Sequence, residues 1–190
     1  TFTMLQLAHA TATVANGGVA YRPHLGMFTT DVMTRERDPT VLEEPQNLGF
    51  KKANVDVIKR AMVGVTQGGT GTRVFAGARY VSGGKTGTAQ AVTIGQKDKY
   101  NSKKLEEHQR DHALYIAFAP AEDPRIAVAV IVENAGWGAG VAAPIARRVF
   151  DYWLNGEYPS EEDLTAVRKG QATAPIGKPR RVEDIPLTAP

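Results

Sequence analysis

The chain has 190 residues, 42% of them apolar and 23% charged, and its formal net charge is +3. Those proportions sit near the averages for soluble globular domains, about 45–50% apolar and about 25% charged, which excludes a fully disordered chain, a collagen-like repeat and a coiled coil. With no cysteine, there is no disulfide framework, no zinc knuckle and no thiol nucleophile, and so mild a positive balance is far from the footprint of a nucleic-acid binder.

No apolar run approaches the roughly 20 residues of a membrane helix, and nothing at the start reads as a signal peptide. The opening Thr1-Phe2-Thr3-Met4-Leu5 has no initiator Met and reads as a piece of something longer. Over residues 3–15, Leu5, Ala8, Ala12 and Ala15 recur at spacings of three and four, which predicts a helix with that face inward. Thr3 is its expected N-cap, and Asn16-Gly17-Gly18 its stop signal. Residues 19–30 are expected to be extended. Residues 31–52, polar and carrying Pro39 and Pro45, read as a surface excursion with a short hairpin. Val55, Ile58, Met62 and Val65 mark a second amphipathic helix, with Asn54 as its cap and Gln67-Gly68-Gly69 as its end.

The segment 68–87 is the most unusual, because seven of its twenty residues are Gly against an average usage of about 7%. A strand is expected over 88–94. A charged stretch comes next, over 96–111, with one or two helical turns near 103–110 and with Arg110-Asp111-His112 anchoring it to the next strand. It reads as a solvated loop, or as a lid beside a pocket. Leu114, Ile116 and Phe118, and then Ile126, Val128, Val130 and Val132, alternate in the manner of two strands, joined by the loop Pro120-Ala121-Glu122-Asp123-Pro124. After a Gly-rich turn at 134–140, in which the aromatic Trp137 could flank a groove, Val141, Ile145, Val149 and Tyr152 predict a last helix ending near Asn155-Gly156. From 157 to 190 the chain is polar and Pro-containing and is expected to be a flexible, loosely draped tail. Strands that cluster late and join by a hairpin predict an α+β fold, an antiparallel sheet flanked by helices.

Candidate chemistry centres on Ser82-Gly83-Gly84-Lys85-Thr86-Gly87-Thr88-Ala89. A phosphate loop ending in Gly-Lys-Thr would need Gly where Arg79 stands, and a helix after it where strand-like residues occur. Ser82-x-x-Lys85 imitates a serine–lysine nucleophile pair, but Gly83 and Gly84 disfavour the helical turn that would bring the two together, so Ser82 reads as a decoy. Lys85-Thr86-Gly87 at an exposed strand edge is the reading that fits. A cation followed by a hydroxyl suits a carboxylate, Gly leaves room for a peptide along the strand, and the Thr88 N–H is placed to donate to an acyl carbonyl. As an isolated tripeptide, Lys-Thr-Gly is also compatible with a plain basic turn.

The context decides between these. The helix 3–18, the run from Ser82 to Gln90, Tyr100-Asn101, Arg110-Asp111-His112, Ala117-Phe118-Ala119-Pro120 and the run Val128 to Asn134 resemble class B penicillin-binding proteins of the elongation, rod-shape type, in which K-T-G is the third of three catalytic motifs. The resemblance covers residues 1–156, as the C-terminal part of a transpeptidase domain of the penicillin-binding and β-lactamase-like fold. It implies peptidoglycan cross-linking by serine acyl transfer on D-Ala–D-Ala. It gives Lys85 and Thr88 a part in catalysis, and Lys85, Thr86, Gly87 and Thr88 a part in binding the stem peptide or a β-lactam antibiotic. Neither Ser102 nor Ser160 lies in S-x-x-K, and S-x-N is absent. The nucleophile is therefore expected upstream of Thr1, on the other half of the domain, and the 190 residues alone are expected to be inactive. The resemblance further implies no cofactor and no metal, a membrane glycan polymerase and shape-complex proteins as partners, and a parent protein in the bacterial inner membrane facing the periplasm. A penicillin-sensing or β-lactamase-related domain of the same fold, and a non-catalytic interaction domain, are the alternatives.

Overall fold

The computed structural model describes residues 2–91 and 105–185. Helix α1 (Met4–Ala15) starts at Thr3 through a reciprocal capping box, in which Thr3 Oγ1 accepts from the Gln6 N–H and the Thr3 N–H donates to Gln6 Oε1. It ends where Gly17 and Gly18 take φ of +90° and +98°, a region that favours glycine. The buried face differs from the expected one. Leu5 is 64% exposed, while Thr11 and Thr13 are buried beside Ala15. Their hydroxyls donate to the Leu7 and His9 carbonyls one turn back, so threonine enters the interior with its polar group satisfied.

The excursion after α1 is a hairpin arm. Strand β1 (Val19–Ala20) pairs with β4 (Gln46–Asn47), and β2 (Phe28–Thr30) pairs with β3 (Arg37–Pro39), both antiparallel. The long extended run expected over 19–30 is thus two short strands. Helix α2 (Lys52–Gln67) is capped at Lys51, three residues before the expected Asn54, with no side-chain cap bond. It is succeeded by the short α3 (Thr72–Phe75).

The central sheet has the order β5-β6-β7 and is antiparallel throughout, formed by β5 (Gly83–Ala89), β6 (His112–Ala119) and β7 (Ile126–Val132). The expected β6–β7 hairpin is present. The strand expected over 88–94 instead begins at Gly83 and carries Lys-Thr-Gly at its centre; residues 92–104, and with them most of the charged loop, lie outside the described residues. The expected helical turns before β6 reduce, among the described residues, to a 3-10 turn at Glu107–Gln109.

Helix α4 (Gly138–Asn155) covers one face of the sheet, and α1 and α2 cover the other. The period in the sequence located α4 but not its inward face. Ile145, Val149 and Tyr152 are exposed, whereas Ala139, Ala142, Ala143, Ala146 and Phe150 are buried. Small side chains bring the helix backbone close to the sheet, and Phe75, Tyr115 and Phe150 supply the bulk of that core. Pro144 stands inside α4, past its first turn.

The C-terminal segment makes more contacts than its composition suggests. Strand β8 (Glu157–Tyr158) pairs with β9 (Arg180–Arg181), and α5 (Glu161–Arg168) lies between them in sequence. Arg148 of α4 grips the buried Asp163 through two bonds of 2.9 and 2.6 Å and also donates to the Thr173 carbonyl. The fold is α+β, with an antiparallel sheet between helices.

Candidate active site

Strand β5 lies at the edge of the sheet and has no strand on its outer side among the described residues. Two glycines let it lie flat on aromatic rings. A Cβ at Gly83 would stand 2.6 Å from Phe118 Cζ, and one at Gly84 only 2.1 Å from Tyr115 Oη. Ahead of them Tyr80 ties the strand to α4, its hydroxyl donating to Asp151 at 2.9 Å. Asp151 also takes both bonds of the Arg147 Nε–H, at 3.0 and 2.8 Å. Arg147 Nη1 reaches back to the Val74 and Ala76 carbonyls at the end of α3. Burial pushes the Tyr80 hydroxyl pKa well up, with the Asp151 charge adding to it. Burial also raises the pKa of Asp151, against the pull of Arg147.

Beyond the glycines the strand emerges: Lys85 and Thr88 are exposed, and Thr86 and Gly87 half-buried. Lys85 Nζ donates to the Thr86 carbonyl at 2.6 Å, so that carbonyl faces the open edge. Thr86 Oγ1 shares a hydrogen bond of 3.1 Å with Thr70 Oγ1. Lys85, Thr86, Gly87 and Thr88 therefore form one accessible ribbon, with an ammonium and hydroxyls along it. Thr70 has no counterpart among the residues singled out from sequence. It sits in the Gly-rich stretch between α2 and α3, where the run Gly68-Gly69-Thr70-Gly71 was the available signal, but nothing local marks which hydroxyl meets β5.

Ser82 is buried, its carbonyl accepting a bond of 2.6 Å from Thr66, in keeping with a structural role. Arg110, Asp111 and His112 bind the turn before α4: the Asn134 side-chain amide donates to the Arg110 carbonyl, the Gly136 N–H to the Asp111 carbonyl, and the Asn134 N–H to His112 Nδ1. Trp137 comes directly after that turn, 62% exposed, next to Gly138, which packs on the backbone of Gly87. Among the described residues no cluster of His, Asp and Glu could hold a metal ion.

An α+β fold with an antiparallel sheet between helices is the architecture of penicillin-binding transpeptidase domains. The comparisons agree: a family model described as the penicillin-binding protein transpeptidase domain matches residues 1–151, and the chain belongs to that family. It is 39% identical over 164 residues to the peptidoglycan D,D-transpeptidase MrdA of Haemophilus influenzae, covering 85% of this chain and 25% of that protein. It is 45% identical over 157 residues to the MrdA of Acinetobacter baumannii, covering 81% and 22%. The ceftriaxone acyl-enzyme of penicillin-binding protein A from Mycobacterium tuberculosis superposes with a TM-score of 0.65 at 32% identity, over 80% of this chain and 32% of that one. The MrdA relatives accord with the elongation type expected from the sequence. The chain spans about a quarter of the length of these curated relatives.

Proposed function

We propose that the chain is the Lys-Thr-Gly half of the active site of a peptidoglycan D,D-transpeptidase that cross-links the cell wall during elongation. One observation carries the reading: β5 offers Lys85, Thr86 and Thr88 along an edge that no described strand pairs, beside a hydroxyl partner, Thr70. A peptide can lie along such an edge as an added strand. Backbone groups two residues apart in a strand point the same way. If the Thr86 carbonyl faces the edge, so does the Thr88 N–H, where it can donate to an acyl oxygen.

In this reading a serine of the upstream half attacks the carbonyl between the two terminal D-alanines, and D-Ala leaves with the proton. A neighbouring stem amine then takes the acyl group. Lys85, Thr86 and Thr88 hold the terminal carboxylate, or that of a β-lactam, and Gly87 leaves the peptide room. The upstream half of the domain is also the partner that completes the groove. A membrane glycan polymerase and shape-complex proteins are the proposed larger partners, with the parent anchored in the inner membrane and this domain facing the periplasm. No described helix is long and apolar enough to cross a membrane.

The test is labelling by a fluorescent penicillin. The full-length protein is expected to form a stable covalent adduct, and the isolated 190 residues none. Thr86→Val and Thr88→Val remove hydrogen bonds to a charged group, each worth about 1.5–3 kcal/mol, and are expected to slow labelling by about 10- to 100-fold. Labelling of the isolated chain, or wild-type rates in Lys85→Ala, would refute the assignment, and rapid release of the label would favour a β-lactamase relative.

A further inference from the structure

We propose that Gly138, the first residue of α4, is a positioning residue that sets the height of the Lys-Thr-Gly strand. The inference rests on the reading of β5 as the substrate strand and extends it to a residue outside that strand. A Cβ at Gly138 would stand 2.3 Å from the Leu114 carbonyl oxygen, 2.4 Å from the Gly87 carbonyl oxygen and 3.2 Å from the Gly87 nitrogen. Gly87 and Leu114 are directly opposed across β5 and β6, so the helix start rests on the pair that joins the substrate strand to the sheet. All three atoms are backbone. No side chain can swing away, and some element must move to admit even a methyl group.

The elements are not equally free to do so. The helix start is held by the turn before it, through the bonds of Asn134 and Gly136 to Arg110, Asp111 and His112. Further along α4, Arg147 is bonded to Asp151 and to the Val74 and Ala76 carbonyls. Strand β6 is paired on both sides. Among the described residues β5 is paired on one side only, so β5 yields. The residues that shift are then Gly87 and its neighbours Thr86 and Thr88, and a misplacement of roughly 1 Å at reacting groups can cost about 100-fold in rate.

Gly140 supplies the internal control. It lies in the same turn of α4, and a Cβ there would meet only Trp137 Cε3 at 3.5 Å, an ordinary contact. The experiment measures, in the full-length protein, both the rate constant of fluorescent-penicillin labelling and the fraction of molecules labelled. Gly138→Ala is expected to label at least 10-fold more slowly while the folded molecules still label to completion, and Gly140→Ala at the wild-type rate. The double variant Gly138→Ala/Gly140→Ala, in which the second alanine adds helix propensity, is expected to fold better than Gly138→Ala and to label as slowly. A residue needed only for folding would lower the labelled fraction and leave the rate constant alone. That result, a wild-type rate in Gly138→Ala, or insolubility of both the single and the double variant would overturn the proposal. Failure of the underlying reading is distinct, since it leaves the wild-type protein unlabelled or Lys85→Ala unaffected.

Discussion

Tyr115 shows what the glycines at the start of β5 are for. Its ring is buried, its hydroxyl has no hydrogen-bond partner among the described residues, and the space above it is the space a Gly84 side chain would need. Burial pushes its ionisation well up, so it stays neutral. Gly84→Ala would set a methyl against the ring carbon Cζ at 2.5 Å as well as the hydroxyl, and overpacking of this kind costs about 1–3 kcal/mol. Tyr115→Phe deletes a buried hydroxyl that makes no bond, so its expected effect is within about 0.5 kcal/mol of zero. Combined with Gly84→Ala, it should recover part of that loss. Urea midpoints of the full-length protein and its variants check all three values, and a large loss in Tyr115→Phe would mean that the hydroxyl is bonded after all. At this scale the sequence was informative where function is contiguous. Lys85, Thr86, Gly87 and Thr88 stand side by side in the chain, and their order, read with the motifs around it, marked them as candidates. Thr70 and Gly138 reach β5 only through the fold, and no local spacing points to them.

Helix α4 shows the same limit one level up. Its period was plain, yet Ile145, Val149 and Tyr152 face outward, because the helix sits so close to the sheet that its inner face is mostly alanine and glycine, with Phe150 the large exception. A reading that assumes the largest apolar residues point inward fails where backbone approach, not side-chain bulk, is the constraint. The strands β6 and β7 were legible because their alternation and tight loop are local, whereas the position of β5 depended on Gly83 and Gly84, which carry no strand propensity. What fixes α4 laterally is the Arg147–Asp151 pair with Tyr80. Arg147→Met takes the cation from a buried carboxylate and leaves it the Tyr80 hydroxyl as donor, and breaking a buried pair in this way typically costs about 3–5 kcal/mol. The pH dependence comes from the direction of the Asp151 shift. Its pKa is already raised in the fold, and loss of the cation raises it further. A raised carboxylate contributes stability that is present below its unfolded pKa and is lost as pH rises through its folded one. The gap between Arg147→Met and wild type should therefore be widest at neutral pH and narrow on acidification, as denaturation curves across that range would record. A gap that stays constant, or that widens toward acid, would mean that Arg147 does not hold Asp151 toward its charged form.

At the scale of the molecule, the layers divide the labour. The sheet and its two helical covers present the ribbon, while the hairpin arm and the outer faces of α1 and α2 leave Leu5, Leu25, Met33, Val41 and Ile58 exposed, a surface that the proposed upstream half would cover in part. The C-terminal segment holds to α4 and its cap by Arg148–Asp163 and by the Val182 N–H to the Gly156 carbonyl, and to the stretch before β5 by Arg79–Glu157 at 3.1 Å. We propose a boundary near residue 156, with a core that works without the C-terminal segment. Removing residues 157–190 from the full-length protein deletes partners of Arg148 but leaves its guanidinium open to water, so no buried charge is stranded. Charge-assisted bonds of this type contribute about 1.5–3 kcal/mol, and a loss of that order is expected in denaturant midpoint. The inner face of α4 keeps its alanines on the sheet and Gly138 on Gly87, so the penicillin-labelling rate constant should stay within about 2-fold of wild type. Truncation and Gly138→Ala then give opposite patterns, stability lost with rate preserved in one and rate lost with folding preserved in the other. A truncated protein that folds but labels slowly would place the C-terminal segment inside the working domain and move the boundary beyond it.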